Sequence, residues 1–383
     1  MSVTAPRGFR AAGVAAGLKS SGAPDVALVV NDGPGQAAAG VFTSNRVQAA
    51  PVRWSRQVLT AGELHAVVLN SGGANACTGP GGFQDTHATA EHVAAALDCG
   101  AGEVAVCSTG LIGVRLPMDR LLAGVDVAVA ALADDGGAAA AEAIRTTDTV
   151  AKQATAAGAG FTVGGMAKGA GMLAPGLATM LVVLTTDAVA DAAALDAALR
   201  SATARTFDRV DSDGCMSTND TVLLLASGAS GVAPAAAELA TAVEAVAAAL
   251  ARQLVADAEG ASKDLAIEVR GAATEEDAVT VGRAVARSSL LKCAVHGEDP
   301  NWGRVLAAVG TTTVPFDPDA LAVAINGVWV CRDGAPAADR DLVDMSGREV
   351  RITVDLAAGA ATATVWTNDL TAAYVHENSA YAT

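Results

Sequence analysis

Aromatic residues and cysteine motifs are scarce in this sequence. Only 3% of its 383 residues are Phe, Trp or Tyr, so a folded core must pack mainly with Val, Leu, Ile and Ala. The cysteines show no C-x-x-C spacing and no nearby histidine pairs, which argues against a zinc site or a redox motif, and we expect no metal. We expect all six cysteines to be reduced, small core residues: Cys77, Cys99, Cys107, Cys215, Cys293 and Cys331.

Positive charge is also scarce. The chain has 25 Lys and Arg against 41 Asp and Glu, and its formal net charge of −16 at pH 7 is spread along the whole chain. That balance argues against nucleic acid and anionic membranes as partners. No stretch looks long and apolar enough to span a membrane, and residues 1–19 lack the apolar core of a signal peptide. We therefore expect a cytoplasmic protein that acts on small molecules.

Strand-like and helix-like patterns alternate along the chain, without a linker rich in Pro, Ser or charge. The length suggests two or three units, and the alternation predicts an α/β or α+β fold in which helices cover β-sheets. Apolar runs predict strands at residues 26–30, 66–69, 104–107, 161–166, 180–184, 222–225, 321–325, 351–354 and 361–366. Apolar spacings of three and four predict helices at residues 86–97, 118–132, 190–207, 235–256 and 275–291. We interpret the Gly- and Ala-rich residues 154–160 as a surface loop.

A glycine-rich stretch, residues 168–178, directly precedes Thr179 and an apolar run at residues 180–184. A threonine hydroxyl becomes a good nucleophile only beside a base, and the nearest base for an N-terminal threonine is its own α-amine. That amine exists only if the bond between Ala178 and Thr179 is broken. The glycines and Pro175 permit a tight turn, and the small Ala178 leaves its carbonyl open to attack. These residues allow a self-cleaving nucleophile, but they also suit a glycine-rich turn that leads into an ordinary core strand.

Six further motifs are spread along the chain. They are Asn70–Gly79, Cys107–Gly110, Thr146–Asp148, Asp257–Gly260, Asp299–Arg304 and Glu377–Tyr381. The first lacks G-x-G-x-x-G spacing and no Walker lysine motif occurs, so we expect no cofactor. In this order, and together with the Thr179 segment, the motifs resemble those of the ornithine acetyltransferase family, also called the bifunctional glutamate N-acetyltransferase family.

The resemblance implies a fold and a processing step. Members of this family cut themselves between Ala and Thr and keep both pieces, which interlock in a sandwich of sheets between helix layers. We therefore expect the fragments 1–178 and 179–383, not independent domains, in an αββα-type sandwich with an N-terminal nucleophile. The resemblance also implies an α2β2 heterotetramer of the two fragments.

A reaction in arginine biosynthesis is implied as well. Thr179 takes the acetyl group of N2-acetylornithine, releases ornithine, and passes the acetyl group to L-glutamate by a ping-pong mechanism. The α-amine of Thr179, with a reference pKa of about 7.7 to 8.0, accepts the proton. No separable coenzyme A motif is visible, so the sequence leaves open whether acetyl-CoA is a second donor.

The family's site residues match residues of this chain one by one. Thr109 and Gly110 match the pair that forms the oxyanion hole, and Lys168 matches a lysine that meets the substrate. The other matches to substrate-contacting positions are Thr146, Thr179, Glu259, Asn378 and Thr383. Without the resemblance, Thr109 would be interpreted as part of a strand-ending turn and Lys168 as a solvated turn lysine.

Two alternatives stay open at the level of sequence. A self-processed aminopeptidase of related architecture would hand the acyl group to water, although such enzymes use serine where this chain has Thr179. A non-catalytic binding protein could retain the motifs without cutting itself. The roles of Arg304 and of the Asn70–Gly79 motif do not follow from the residues.

Overall fold

The computed structural model describes residues 2–174 and 180–380, which form two compact units. Within these ranges, the first unit consists of residues 2–208 and 215–257, and the second of residues 209–214 and 258–380. Both units combine sheets with helices, which confirms the predicted α/β class. The first unit holds residues from both sides of the bond between residues 178 and 179, and strands from both sides lie in one of its sheets.

The described part of the first unit has nine strands and six helices. The strands are β1 (Phe9–Val14), β2 (Val26–Asn31), β3 (Ala38–Phe42), β4 (Ala66–Asn70), β5 (Val104–Ser108), β6 (Lys152–Ala157), β7 (Thr162–Lys168), β8 (Leu181–Thr186) and β9 (Thr221–Ala226). The helices are α1 (Ala50–Val58), α2 (Gly79–Leu97), α3 (Met118–Ala130), α4 (Gly137–Ala143), α5 (Ala192–Arg205) and α6 (Ala236–Ala256).

Two sheets form the centre of the first unit. Sheet I has the order β1-β2-β4-β5, in which β4 and β5 are parallel and the other neighbours are antiparallel. Sheet II has the order β3-β9-β8-β7-β6, in which only the pair β8 and β9 is parallel. Helices α1 to α4 pack against strands of sheet I, and α5 and α6 pack against strands of sheet II.

Strand β8 shows how the layers are built. All six of its residues are buried, as the continuous apolar run predicts for a strand covered on both faces. Leu181 and Val183 belong to the same hydrophobic cluster as Leu28 of sheet I. On the opposite face, a Cβ placed at Gly165 would lie 2.6 Å from Leu184 and 3.0 Å from Val246 of α6. The first unit is therefore an αββα sandwich, as expected.

The second unit is built around one six-stranded sheet. Its order is β13-β12-β11-β14-β10-β15, and only β10 and β14 are parallel. The strands are β10 (Asp264–Ala272), β11 (Ala322–Ile325), β12 (Val328–Arg332), β13 (Ala335–Pro336), β14 (Glu349–Asp355) and β15 (Ala361–Asn368). The helices are α7 (Glu275–Ala286), α8 (Ser289–His296), α9 (Trp302–Val309) and α10 (Ala372–Ala380).

The interpretation of residues 154–160 as a surface loop is wrong for most of that segment. Residues 152–157 form β6, which pairs with β7 from Lys152 opposite Ala167 to Ala157 opposite Thr162. Only the short turn closed by the Gly158 N–H and the Phe161 carbonyl is a loop, with a hydrogen bond of 2.8 Å. Ladder hydrogen bonds to β7 therefore override the low strand propensity of the Ala residues in β6.

The single helix predicted at residues 275–291 is two helices. Helix α7 ends at Ala286, and the side chain of Ser288 accepts a hydrogen bond from the Leu291 N–H, which caps the start of α8. Serine is a strong N-cap because its oxygen satisfies an otherwise unpaired helix N–H. Helix α2 begins at Gly79 and not at residue 86, because Pro80 is well tolerated in a first helical turn.

The expectation that all cysteines are core residues is wrong for half of them. Cys77, Cys215 and Cys293 are exposed, whereas Cys107 and Cys331 are buried. None of the six cysteines, all of which lie within residues 2–174 and 180–380, forms a disulfide bond. Burial raises the pKa of Cys107 to about 12, so that thiol is neutral.

The expectation that no segment is long and apolar enough for a membrane is wrong for α6. This helix of 21 residues meets both criteria by length and composition. Half of its most apolar window is buried, and the helix packs against α5, β6 and β7. Its apolar stripe, which includes Leu239, Val246 and Leu250, therefore serves as a core face of the first unit.

Candidate active site

The predicted oxyanion pair lies directly after β5. Thr109 is 3% exposed, and its backbone N–H donates to the Asn70 carbonyl at 3.0 Å, which extends the pairing of β4 with β5. Gly110 has φ +127°, and a Cβ there would lie 2.9 Å from the backbone nitrogen of Gly73. The Gly110 N–H donates to no atom within residues 2–174 and 180–380. The turn thus has two donors to offer, the Thr109 hydroxyl and the Gly110 N–H.

Lys168 comes together with this turn. It is the last residue of β7 and only 2% exposed, and its Nζ donates to Oγ1 of Thr109 at 3.3 Å. The interpretation of Lys168 as a solvated turn lysine is therefore wrong. A lysine is rarely buried to this degree without a partner of opposite charge. Two residues that are 59 positions apart in sequence thus share one buried site.

Asp148 supplies opposite charge beside Lys168. Its Oδ1 accepts hydrogen bonds from Nζ of Lys152 at 2.7 Å and from the Gly169 N–H at 2.6 Å, and its Oδ2 accepts one from the Thr146 N–H at 3.0 Å. Burial alone would raise the pKa of Asp148, but the charges of Lys168 and Lys152 and the Gly169 N–H hold it well below its usual range. Asp148 is therefore a carboxylate that ties Thr146 to the end of β7.

Lys152 is fully buried between two carboxylates. Besides Asp148, its Nζ donates to Oδ2 of Asp257, the residue that follows α6. Asp257 also accepts hydrogen bonds from the backbone and the hydroxyl of Thr149. This explains two of the sequence motifs, since Asp148 and Asp257 share one buried cation and thereby join β6 to the end of α6.

Two functional candidates, Asn219 and Asp220, were missed by sequence reasoning. The Asn219 amide donates to the Ala74 carbonyl at 2.6 Å and to the Ser108 carbonyl at 2.8 Å. Oδ1 of Asp220 accepts a hydrogen bond from the Met180 N–H at 3.1 Å. Asp220 is fully buried, which raises its pKa well above the usual value. The only sequence signal is an Asn-Asp pair directly before an apolar run, a pattern common in ordinary turns.

The proposed nucleophile itself lies outside the described residues. Ala178 and Thr179 belong to the segment 175–179, and Thr383 belongs to the segment 381–383, neither of which is described. The described chain nevertheless fixes both flanks, because Lys168 of β7 and Leu181 of β8 are register partners in sheet II. The chain between them thus starts and ends on adjacent strands, next to Thr109.

Glu259 and Asn378 both belong to the second unit. Gly260, beside Glu259, packs so tightly on α10 that a Cβ there would lie 2.3 Å from the backbone nitrogen of Tyr374. The Asn378 amide donates to the Tyr374 carbonyl at 3.0 Å, one helical turn along α10. The loop of Glu259 and the helix of Asn378 therefore pack together. Glu259 is half-buried, and Asn378 is exposed.

The two motifs whose roles did not follow from the sequence, Asn70–Gly79 and Asp299–Arg304, have structural roles. In the Asn70–Gly79 motif, the Asn75 amide donates to the Gly82 carbonyl at 2.8 Å, which holds the motif against the first turns of α2. In the Asp299–Arg304 motif, the Asn301 side chain accepts a hydrogen bond from the Arg304 N–H at 3.2 Å and caps α9.

Comparison with known proteins identifies close relatives of the whole chain. Residues 10–383 match the ArgJ family. The arginine biosynthesis bifunctional proteins ArgJ of Streptomyces avermitilis and Streptomyces coelicolor are 72% and 70% identical to it over 381 residues, and both matches cover 100% of each chain. Among solved structures, ornithine acetyltransferase of Mycobacterium tuberculosis in complex with ornithine is 62% identical over a match that covers 47% of this chain and 96% of that chain, with a TM-score of 0.43.

Proposed function

Because the chain belongs to the ArgJ family of bifunctional arginine-biosynthesis enzymes, we propose that it moves an acetyl group from N2-acetylornithine to L-glutamate. In this proposal, the chain first cuts itself between Ala178 and Thr179. The new N-terminal Thr179 then carries the acetyl group as an ester between the two halves of the reaction. This is the function of an ornithine acetyltransferase.

One observation carries the proposal. Lys168 and the Thr109–Gly110 turn share one buried site, and Lys168 stands at the start of the chain segment that leads to Thr179. A cation and two hydrogen-bond donors in a dry site suit a reaction in which an oxyanion forms on a substrate that carries a carboxylate. A surface turn or an ordinary core strand would have no use for a buried lysine there.

The chemistry needs a base, a nucleophile and oxyanion donors. The Thr179 α-amine accepts the hydroxyl proton as Oγ1 attacks the acetyl carbonyl carbon. The tetrahedral oxyanion accepts hydrogen bonds from the Thr109 hydroxyl and the Gly110 N–H. When the intermediate collapses, the C–N bond breaks, and ornithine leaves with the proton from the α-ammonium group. The amine of glutamate then attacks the acetyl ester, and the same groups act in reverse order.

The remaining residues would hold the two amino-acid substrates. We assign Lys168 to a substrate carboxylate, since its compact ammonium group is buried beside the reaction site. Thr146 would contribute to the same pocket, because its backbone is tied through Asp148 to Gly169. Glu259, Asn378 and Thr383 would complete substrate binding, with the Glu259 carboxylate suited to the side-chain ammonium group of ornithine.

The proposal extends to processing, assembly and location. The fragments 1–178 and 179–383 would remain interlocked, because β7 and β8 come from opposite sides of the cleaved bond and pair along their length. Two copies of each fragment would form an α2β2 heterotetramer in the cytoplasm. Acetyl-CoA as an additional donor would make the enzyme an N-acetylglutamate synthase as well.

Three measurements test the proposed function. Purified protein should run as two fragments on a denaturing gel, with threonine at the new N-terminus, and Thr179→Ala should leave one intact chain. Incubation with N2-acetylornithine alone should add about 42 mass units to the fragment that begins at Thr179, as expected for an acetyl-enzyme, and glutamate should remove them. Double-reciprocal plots of the transfer rate against the N2-acetylornithine concentration, at several fixed glutamate concentrations, should give parallel lines, as expected for a ping-pong mechanism. Hydrolysis without transfer would indicate an aminopeptidase, and an uncut, inactive chain would indicate a binding protein.

A further inference from the structure

Both flanks of the segment that carries Thr179 are held by buried aspartates. On one side, the Gly169 N–H donates to Oδ1 of Asp148 at 2.6 Å. On the other side, the Met180 N–H donates to Oδ1 of Asp220 at 3.1 Å. Asp148 also has lysine partners, which explains why it is buried as a carboxylate. For Asp220, burial outweighs the charge of Lys168 and raises the pKa, so pairing with a lysine does not account for this residue.

Asp220 is an unusual residue for its position. It is fully buried at the start of β9, and its Oδ2 accepts no hydrogen bond within residues 2–174 and 180–380. A buried polar atom without a hydrogen bond costs free energy, so a purely structural role would favour an apolar residue here. The Ser217 backbone and the Thr43 side chain also interact with this carboxyl group, but the hydrogen bond from Met180 is its contact with the segment that leads to Thr179.

Asn219, the residue before Asp220, contacts the chain beside the Thr109–Gly110 turn. The Asn219 amide donates to the Ser108 carbonyl at 2.8 Å, directly before the Thr109–Gly110 turn. Its second hydrogen bond, to the Ala74 carbonyl at 2.6 Å, holds the loop that packs against that turn. Two consecutive side chains at the start of β9 thus hold the residue after the nucleophile and the residue before the oxyanion donors.

We propose that Asn219 and Asp220 are positioning residues that set the distance between Thr179 and the oxyanion donors of Thr109 and Gly110. Asp220 acts through the Met180 N–H, and Asn219 acts through the Ser108 carbonyl. This inference rests on the proposed function of Thr179. It assigns this distance to two side chains that act through backbone atoms of Met180 and Ser108.

The physical reason is the rigidity of the peptide unit. The Met180 nitrogen is bonded to the carbonyl carbon of Thr179, so a hydrogen bond from the Met180 N–H restrains the peptide group next to the nucleophile. Misplacement of a reacting group by 1 Å can cost about 100-fold in rate. Self-cleavage and acetyl transfer both require Oγ1 of Thr179 to approach a carbonyl carbon whose oxygen faces the donors, so one anchor serves both reactions.

The role requires an acceptor atom and not a negative charge. Burial favours the neutral form of the Asp220 carboxyl group, and a neutral carbonyl oxygen still accepts the Met180 N–H. Asparagine offers the same acceptor, whereas alanine and leucine do not. Asp220→Asn should therefore recover most of what Asp220→Ala loses.

Self-cleavage is measured first, on newly made protein. Full-length chain is synthesised in a cell-free system with a radioactive pulse and a chase, and the cut fraction is followed on denaturing gels. We expect Asp220→Ala to lengthen the half-time of cleavage by about tenfold or more, and Asp220→Asn to bring it back to within about threefold of the parent. If Asp220→Ala does not fold, Asp220→Leu keeps the bulk without the acceptor and takes its place.

A matched control exists at the other end of β8. Asp187 is also buried, at 3% exposure; its Oδ1 accepts the Thr162 N–H at 2.7 Å, and its Oδ2 pairs with Arg7. The six residues of β8 separate it from Met180, so at about 3.3 Å for each of seven residue steps it lies roughly 23 Å away. Asp187→Ala removes a buried acceptor from the same sheet, and it should lower the melting temperature while the half-time of cleavage stays within about twofold of the parent.

Steady-state kinetics on the cleaved protein test the positioning role proposed for Asn219. Asn219→Ala should lower kcat by about tenfold with little change in the KM for N2-acetylornithine, since it acts on the oxyanion donors and not on substrate binding. Combined with Thr109→Ala, its effect on kcat should be much less than multiplicative, because both changes act on the same turn. If Asn219→Ala only destabilised the protein, its effect on kcat would multiply with that of Thr109→Ala.

The outcomes separate this inference from the proposed function. If the parent chain neither cuts itself nor forms an acetyl-enzyme, the proposed function fails. If the parent does both, but Asp220→Ala and Asp220→Leu cut at the parent's half-time, the positioning role of Asp220 is wrong. An Asp220→Asn chain as slow as Asp220→Ala would also overturn it, because the carboxyl group would then be needed for proton transfer. If the effects of Asn219→Ala and Thr109→Ala on kcat multiply in the double variant, the positioning role of Asn219 is wrong.

Discussion

The Nζ atom of Lys168 lies 3.3 Å from the Oγ1 atom of Thr109, and both side chains are almost fully buried. Because the lysine donates this hydrogen bond, the hydroxyl hydrogen of Thr109 is left to donate elsewhere. A nearby cation also polarises the hydroxyl group, which strengthens it as a donor in a site of low dielectric constant. The pair therefore links the residue proposed for substrate binding to the residue proposed for the oxyanion hole.

The first prediction concerns the Thr109 hydroxyl. Thr109→Ala should lower kcat by about 10 to 1,000 fold and leave the KM for N2-acetylornithine nearly unchanged, since the lost hydrogen bond forms mainly in the transition state. Thr109→Ser retains a hydroxyl and should keep most of the activity. Initial-rate kinetics on the cleaved protein measure both constants. Normal kcat with weakened binding in Thr109→Ala would place Thr109 in the substrate pocket instead.

A second prediction concerns the charge of Lys168. Lys168→Met keeps the length of the side chain but removes the cation, and it should raise the KM for both N2-acetylornithine and glutamate by about 10 to 100 fold, as for the loss of a charged hydrogen bond. Lys168→Arg should not restore binding, because the planar guanidinium group does not fit a site built around a compact ammonium group. The inverse pattern, an unchanged KM with a large fall in kcat, would show that Lys168 does not bind substrate and acts only through its contact with Thr109. The melting temperature controls for folding.

The third prediction concerns the buried charges around Asp148. Asp148→Asn removes a carboxylate from beside two buried lysines, and it should lower the free energy of unfolding at pH 7 by about 3 kcal/mol. Urea titration followed by circular dichroism measures this. Asp32→Asn is the control, since Asp32 pairs with Arg10 at the surface and such pairs contribute less than about 1 kcal/mol.

This stability difference should also depend on pH. The pKa of Asp148 is lowered in the folded state, so its contribution is complete above the unfolded value of about 3.9 and is lost as the pH falls through the lower folded value. The curves of the free energy of unfolding against pH for the parent and for Asp148→Asn should therefore run parallel above about pH 4 and converge only below it. Convergence near neutral pH would contradict the lowered pKa.

The fourth prediction concerns the C-terminus. Deletion of residues 378–383 should preserve folding and self-cleavage, which depend on the first unit, but reduce acetyl transfer to glutamate by roughly tenfold or more, because water would reach the acetyl ester. Asn378→Ala is the narrower comparison, since it removes one exposed amide and its hydrogen bond to Tyr374. Transfer rates and acetate release are measured side by side. Full-rate transfer by the truncated protein would remove the C-terminus from the site.

The fifth prediction follows from cysteine burial. In the native protein, iodoacetamide should label the exposed Cys77, Cys215 and Cys293, while Cys107 should react only after denaturation. The thiolate is the reactive form, and burial raises the pKa of Cys107 to about 12, so it is scarcely populated at neutral pH. Peptide mass mapping assigns each label. Rapid alkylation of native Cys107 would show that β5 opens readily.

The amino-acid sequence by itself determined the apolar strands of the core and the motifs that carry the family resemblance. Continuous apolar runs such as residues 180–184 can only be buried on both faces, and a threonine after a glycine-rich turn has a recognisable chemistry. Where local patterns were weak, as in β6, the ladder hydrogen bonds of the folded sheet overrode the low strand propensity of Ala.

The tertiary structure alone decided which polar residues share a site. Lys152 and Asp257 are 105 residues apart, and Asn219 reaches Ser108 across 111 residues. No local pattern predicts such pairs, because the first arises when α6 packs on β6 and β7, and the second when the two sheets bring the end of β5 beside the residue before β9. Sheet pairing brings strand ends together irrespective of sequence distance. The buried anchors Asn219 and Asp220, which look like an ordinary turn in the sequence, acquire partners only in the folded chain.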